Sequence, residues 1–414
     1  MKNIRKVVWL RFIVIFYAIV LMLRYAGDVS LWGDDLATIY FVEKGQDIYT
    51  ILNRVYSDIG SNPPLFYLLA FLWVRIAPYG TFYIKLLNII FSCLGIVFCG
   101  TVTRRIRGDR AALIVTIFAA TSFYLVDYAA FSFRCYGFYF MVCSLLILAY
   151  HNRLMNPNKL SSHIWYCIML ATALYTHYYS MVIFGIMGLC DLYLFINKKI
   201  RFNCICEYIG AFVLFIPLLI IALKNMISVS TNFWAPIPNL NILLETVELV
   251  FSNQKFILLM FLSAVIIVFI YKKRQSDLIL NQVMTALIAW VVFLFGFVYW
   301  FSSQEWASSV FYSRYFIAVL APAIIVAGVG LDFILDLILE KYEKDTTVIL
   351  AVIVLCLCFF NNAIDQLDSV STFPGYVNQP VEEAIEYIYS ADISHMPDSL
   401  IISNTNNEHL YYYA

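Results

Sequence analysis

The chain has 414 residues, 62% of them hydrophobic and only 13% charged, with a mean hydropathy of +0.80. A soluble domain carries roughly 25% charged residues, and surface-to-volume scaling cannot keep this much apolar surface from water in one compact body, so lipid is the solvent that fits. The 27 basic and 27 acidic residues cancel; no bulk field draws nucleic acid, which is excluded as a partner. The ten cysteines fall mostly inside apolar runs, which is no disulfide framework. Cys204 and Cys206 read as buried thiols rather than metal ligands, because no histidine or further cysteine clusters near them in the sequence.

Lys2 to Lys6 and the apolar run that follows, to Tyr25, resemble a signal peptide at first sight. The run is too long for one, and no small-residue cleavage site follows, so it reads as a retained first span. A hydrocarbon core of about 30 Å needs roughly 20 apolar residues. That predicts an all-α polytopic membrane protein of about eleven spans, at 7–27, 82–103, 111–130, 132–150, 163–177, 178–196, 205–223, 255–271, 282–301, 314–338 and 346–361. Positive charge gathers on alternate connections. Lys2, Arg5 and Lys6 form one group and Arg104, Arg105, Arg107 and Arg110 the next. Arg153 with Lys159, Lys198 with Lys199 and Arg201, Lys272 with Lys273 and Arg274, and Lys341 with Lys344 follow. The positive-inside rule puts these in the cytoplasm of a multi-pass protein of the cell membrane, with the N-terminus inside. The opposite side is acidic: Asp28, Asp34, Asp35, Glu43, Asp47 and Asp58 lie in the first external loop, 28–81. Residues 362–414 contain no Lys or Arg and are expected outside, as a short α/β segment. Parity leaves no room for a crossing between 27 and 82. The apolar stretch 63–78, opened by Pro63-Pro64 and carrying Arg75, is therefore expected to be an interfacial helix.

Several residues in this frame could carry chemistry. Trp32-Gly33-Asp34-Asp35 places two carboxylates directly after the first span, suited to a base or a metal ligand; the plain alternative is a solvated turn. Arg134, in Ser132-Phe133-Arg134-Cys135-Tyr136, and Asp127 are ionisable groups at membrane depth, which mark either a site or a structural pair. His177, in Thr176-His177-Tyr178-Tyr179-Ser180, sits at an external turn, where an interfacial role competes with a substrate role. Lys85 and Arg314, the latter in Ser313-Arg314-Tyr315, are cations on the side that the positive-inside rule disfavours. An anionic lipid phosphate would explain them, and so would snorkelling to headgroups.

Taken in order, Trp32-Gly33-Asp34-Asp35, Asn62-Pro63-Pro64-Leu65-Phe66-Tyr67, Arg134-Cys135-Tyr136, Tyr175-Thr176-His177-Tyr178-Tyr179 and Ser313-Arg314-Tyr315 followed by Pro322 resemble the GT-C type membrane glycosyltransferases. The likeness is greatest to the protein mannosyltransferase and aminoarabinose transferase (family-39-like) group, and it covers nearly the whole chain. Three positions depart from that pattern: Asn62 for His, Asp35 for Glu, and Ser132 where a Glu often precedes the Arg.

The resemblance implies a polyprenyl-phosphate sugar donor, a glycan, lipid or protein acceptor, and transfer at the extracytoplasmic face. It also implies Asp34 and Asp35 as catalytic residues and Arg314, Lys85 and Arg134 around the donor phosphate. Asp127, His177, Tyr136 and Tyr315 would line the substrate site. A divalent metal is compatible with the acidic pair but not required by it. A secondary transporter or lipid flippase, and a surface-glycan polymerase or ligase, are the competing readings. Transporters tend toward repeated halves and mid-membrane charges, whereas the notable charges here gather toward the outer interface.

Overall fold

The computed structural model describes residues 2–27, 31, 33–42, 47–57, 62–78, 80–232, 235, 237–251, 262–265, 267, 278–304 and 307–339. Within them the chain is helical. α1 (Lys2–Tyr25), α2 (Gly33–Val42), α3 (Ile48–Ser57), α4 (Leu65–Ile76) and α5 (Thr81–Arg107) come first. After α6 (Asp109–Ala120) and a π-helical turn (Leu125–Ala130) follow α7 (Tyr136–Met155), α8 (Leu160–Leu174), α9 (Ser180–Ile196), α10 (Asn203–Asn232) and α11 (Leu240–Phe251). α12 (Leu278–Ser302), a 3-10 turn (Ser313–Phe316) and α13 (Ile317–Leu339) complete the described bundle. Six of these segments are long and apolar enough to cross a membrane, and shorter apolar helices stand among them. This is a multi-pass membrane protein.

The expected spans at 7–27, 82–103, 132–150, 205–223, 282–301 and 314–338 each coincide with a helix. The expected span 111–130 is broken: α6 stops at Ala120, and the chain resumes as the π-helical turn before α7. The helix expected at 63–78 is α4. It buries Phe66, Tyr67, Ala70 and Phe71 on one face while Leu72 and Ile76 stay exposed. Two helices went unforeseen in the segment 28–81, α2 and α3. Only fragments of the expected span 255–271 are described; the span 346–361, the segment 362–414, Trp32 and the basic residues at 272–274, 341 and 344 lie outside the described residues.

Local chemistry explains the breaks. Gly108, with φ +106°, separates α5 from α6 in a backbone conformation that a side chain would strain. Pro63-Pro64 precedes α4, where the missing N–H costs nothing. Exposed Trp9, Phe12, Ile13 and Phe16 on α1 and Val292, Phe293 and Trp300 on α12 are apolar surface suited to lipid. The buried face of α13 is nearly continuous from Phe316 to Leu331 and forms part of the core.

The connections alternate between two ends of the bundle. At one end Arg107 and Arg110 fork onto Asp332 and Asp336, joining α5 and α6 to α13; Arg110 Nε lies 2.5 Å from Asp332. At the other end meet α2, the start of α4, the segment 131–135, the α8–α9 turn and the 3-10 turn. Three long-range hydrogen bonds tie this end together. The Leu65 N–H donates to Tyr175 O at 3.2 Å, Tyr124 Oη–H to Ser313 O at 2.5 Å, and Tyr179 Oη–H to Val310 O at 2.7 Å.

Candidate active site

Asp34 and Asp35 occupy the first turn of α2, where the exposed backbone N–H groups favour negative charge. Their side chains part company there. The Asp34 carboxylate is one-third exposed and lies 2.6 Å from Arg314 Nη2, a guanidinium with only 3% of its side chain exposed. The Asp35 carboxylate is buried and accepts the Phe133 N–H at 2.7 Å. The two acids therefore do not converge on one point, and the pair does not form a chelate as it stands.

The segment 131–135 is held from two sides. Asp35 takes the Phe133 N–H from the α2 side, while the Asn88 amide on α5 donates to the carbonyls of Ser132 and Arg134, the latter at 2.7 Å. This clamp aims Arg134 at α2. Its Nη1 donates to Asp34 O at 3.4 Å, to Thr38 Oγ1 at 3.2 Å and to the Tyr67 hydroxyl at 3.5 Å. All three contacts are long, and Arg134 Nε is buried without a hydrogen-bond partner among the described residues. Gly137, just beyond, allows the close packing this needs. A Cβ there would lie 2.9 Å from both Ala129 O and Asn88 O.

Arg314 enters through the 3-10 turn, whose Ser313 carbonyl is fixed by Tyr124. Its guanidinium lies over the Tyr312 ring at 4.6 Å. His177, in the turn between α8 and α9, is buried and stacks on Tyr139 with ring centroids 5.0 Å apart. Its Nδ1 accepts the Tyr179 N–H at 3.1 Å, so the ring is neutral with its proton on Nε2. That Nε2, like the Tyr136 hydroxyl, is buried without a partner among the described residues. Tyr136, His177 and Tyr315 form one aromatic group, with His177 5.2 Å from Tyr315 and Tyr136 6.4 Å from each. Both Arg134 and Arg314 act electrostatically on His177 and Tyr136.

Of the residues singled out in the sequence, Asp34, Arg134, Tyr136, His177, Arg314 and Tyr315 thus meet around one point. Asp35 stands behind them. Lys85 is fully buried on the opening turn of α5, one turn ahead of the Asn88 clamp. Asp127 is buried on the π-helical turn and forms no ion pair with Arg134 among the described residues. Asn88, Thr38 and Tyr67 were not foreseen. Asn88 carried a readable signal, as an amide inside an apolar run.

The fold that gathers these groups resembles that of GT-C type glycosyltransferases of known structure. The likeness extends over 97% of the chain to ArnT from Cupriavidus metallidurans in the apo state, with a TM-score of 0.67, 12% identity and 83% of that chain covered. The same protein bound to undecaprenyl phosphate gives 0.63, 13% identity and 84% of its chain. The archaeal oligosaccharyltransferase AglB from Archaeoglobus fulgidus, in complex with an inhibitory peptide and a dolichol-phosphate, matches 98% of this chain and 59% of its own, at a TM-score of 0.55 and 12% identity. At such identities the likeness is one of fold. No protein-family model matches the sequence, and no curated protein does.

Proposed function

We propose that the chain transfers a sugar from a polyprenyl-phosphate donor to an acceptor hydroxyl at the extracytoplasmic face of the cell membrane. One observation carries the reading: an accessible carboxylate, Asp34, paired with a buried guanidinium and neighboured by Arg134 Nε, His177 Nε2 and the Tyr136 hydroxyl, which have no partner among the described residues. Buried donors without partners are costly, and a phosphate with sugar hydroxyls would satisfy them. The solved structures of similar fold with undecaprenyl phosphate and with dolichol-phosphate support the donor class. The basic cluster Arg104, Arg105, Arg107 and Arg110, at the opposite end of the bundle, supports the orientation.

In this scheme the acceptor hydroxyl gives its proton to Asp34 as its oxygen bonds to the anomeric carbon. The bond from that carbon to the phosphate oxygen breaks, and its electron pair leaves with the polyprenyl phosphate. A phosphate leaving group needs no general acid, only positive charge and donors aimed at its oxygens. Arg314 and Arg134, with His177 Nε2–H and the Tyr136 hydroxyl, supply them, and Lys85 adds charge from α5. Asp35 acts as a positioning residue through Phe133. Two acids on one helical turn do not frame a sugar from both faces, as double displacement needs, so the transfer is a single displacement with inversion.

The test is single-turnover transfer by the purified protein in nanodiscs, with a panel of radiolabelled polyprenyl-phosphate sugars. Asp34→Asn should keep donor binding while turnover falls by about 10²–10⁴, the usual contribution of a positioned base. Wild-type transfer by that variant would overturn the assignment.

A further inference from the structure

At the opposite end of α7 from Arg134 lies a second buried polar cluster that the proposed transfer reaction does not use. His163 stands in the first turn of α8. Cys204 and Glu207 stand three residues apart at the start of α10, and so share one helix face. One ligand atom from each of these three residues lies within 4.8 Å of the others, and all three residues are buried.

The surroundings already orient these atoms. His163 Nε2 faces Pro157 O at 3.0 Å and donates to it, which turns Nδ1 toward Glu207. Arg153 Nη1 donates to Glu207 Oε2 at 2.7 Å, leaving Oε1 for the histidine side. A carbonyl behind the histidine and a cation behind the outer carboxylate oxygen are the supports that hold ligands at metal centres.

We propose that His163 Nδ1, Cys204 Sγ and Glu207 Oε1 bind a divalent transition metal of the zinc class, with solvent completing a tetrahedral site. The mixed nitrogen, sulfur and oxygen donor set selects that class over magnesium or calcium. The metal would join the N-terminal ends of α8 and α10. The inference does not depend on the chemistry at Asp34.

The experiment is a cobalt titration of the chelator-treated, folded protein in detergent. One Co²⁺ per chain should bind with intense tetrahedral visible bands and a near-ultraviolet thiolate-to-cobalt transition. Cys204→Ser should abolish the thiolate transition, whereas Cys206→Ser, at an exposed neighbour, should keep it. His163→Gln retains the thiol and should lose the tetrahedral intensity, which keeps the test decisive if Cys204→Ser does not fold. Zn²⁺ should displace the Co²⁺ and bleach the spectrum, and Mg²⁺ should not. Absence of the thiolate transition in the folded wild type, or its survival in Cys204→Ser, would overturn the proposal.

Discussion

Arg134 and Arg153 stand at opposite ends of α7, roughly 30 Å apart at 1.5 Å per residue, and the protein treats them differently. Arg153 is fully buried and closed in. Its two Nη atoms fork onto Asp191 at 2.7 and 2.9 Å and reach Glu207 at 2.7 Å. Tyr208 and Tyr150 donate to the same Asp191, and the guanidinium lies over Tyr150 and Tyr166 at 4.7 and 4.5 Å. Arg134 makes three long contacts, none with a carboxylate; the Nε of each arginine is buried without a partner among the described residues, so the difference lies in what their Nη atoms reach. One arginine has its Nη atoms committed to carboxylates and holds four helices together; the other has only long contacts to neutral oxygens. The comparison teaches that buried charge alone does not mark a site. A guanidinium left without a close acceptor beside an accessible carboxylate does.

The comparison can be broken most severely at Arg153. Removing one member of a buried ion network strands its partners and typically costs about 3–5 kcal/mol. Arg153→Met should therefore lower the thermal midpoint in detergent sharply. Whatever protein survives should show an unchanged donor KM. A stable Arg153→Met protein with a raised donor KM would reverse the roles assigned to the two ends.

Arg314 should show the opposite pattern. Arg314→Ala removes charged hydrogen bonds worth about 1.5–3 kcal/mol, so the donor KM should rise about 10- to 100-fold in the transfer assay, with less change in the thermal midpoint than Arg153→Met causes. Arg314→Lys should recover only part of the affinity, because a point charge lacks the planar fork that grips phosphate at two oxygens. Equal kinetics in wild type and Arg314→Ala would remove the role.

The smallest effect is expected at Asp35. Asp35→Asn keeps an oxygen for the Phe133 N–H, so transfer should stay close to wild type. Asp35→Ala strands a buried N–H at a cost of about 1–3 kcal/mol and should loosen the segment carrying Arg134, read as a raised donor KM. A loss in Asp35→Asn as deep as in Asp34→Asn would mean that Asp35 shares in the chemistry rather than in the support.

The sequence disclosed these two ends unequally, for physical reasons. Apolar runs the length of a bilayer announce themselves, so most spans were legible. Arg134, His177 and Arg314 stood out because charge or imidazole at the disfavoured interface demands a reason, and the structure brings them to one point. Arg153 read as one more basic loop residue, because its partners Asp191 and Glu207 lie 38 and 54 positions away. Asp191 did leave a trace, as an acid within the apolar run of α9. Cys204 and Cys206 read as a pair of buried thiols; Cys206 is exposed, and the histidine that was missing near Cys204 in sequence arrives from α8. α2 and α3 escaped because they are short, although Asp47 caps α3 by accepting the Thr50 N–H at 2.7 Å, and the break in 111–130 because a π-helical turn keeps the same apolar composition as a straight helix.

Gly137 has a consequence for how such a protein can be remodelled. The carbonyls of Ala129 and Asn88 close over it so tightly that a single methyl group has no room. Arg134 lies three residues upstream, and Asn88 carries the clamp that aims it. The spacing around the candidate site is thus set to the width of one carbon atom at a glycine that supplies no side chain to it. A protein engineer reshaping the surroundings of Asp34 would find this hidden contact the part whose tolerance must not be altered.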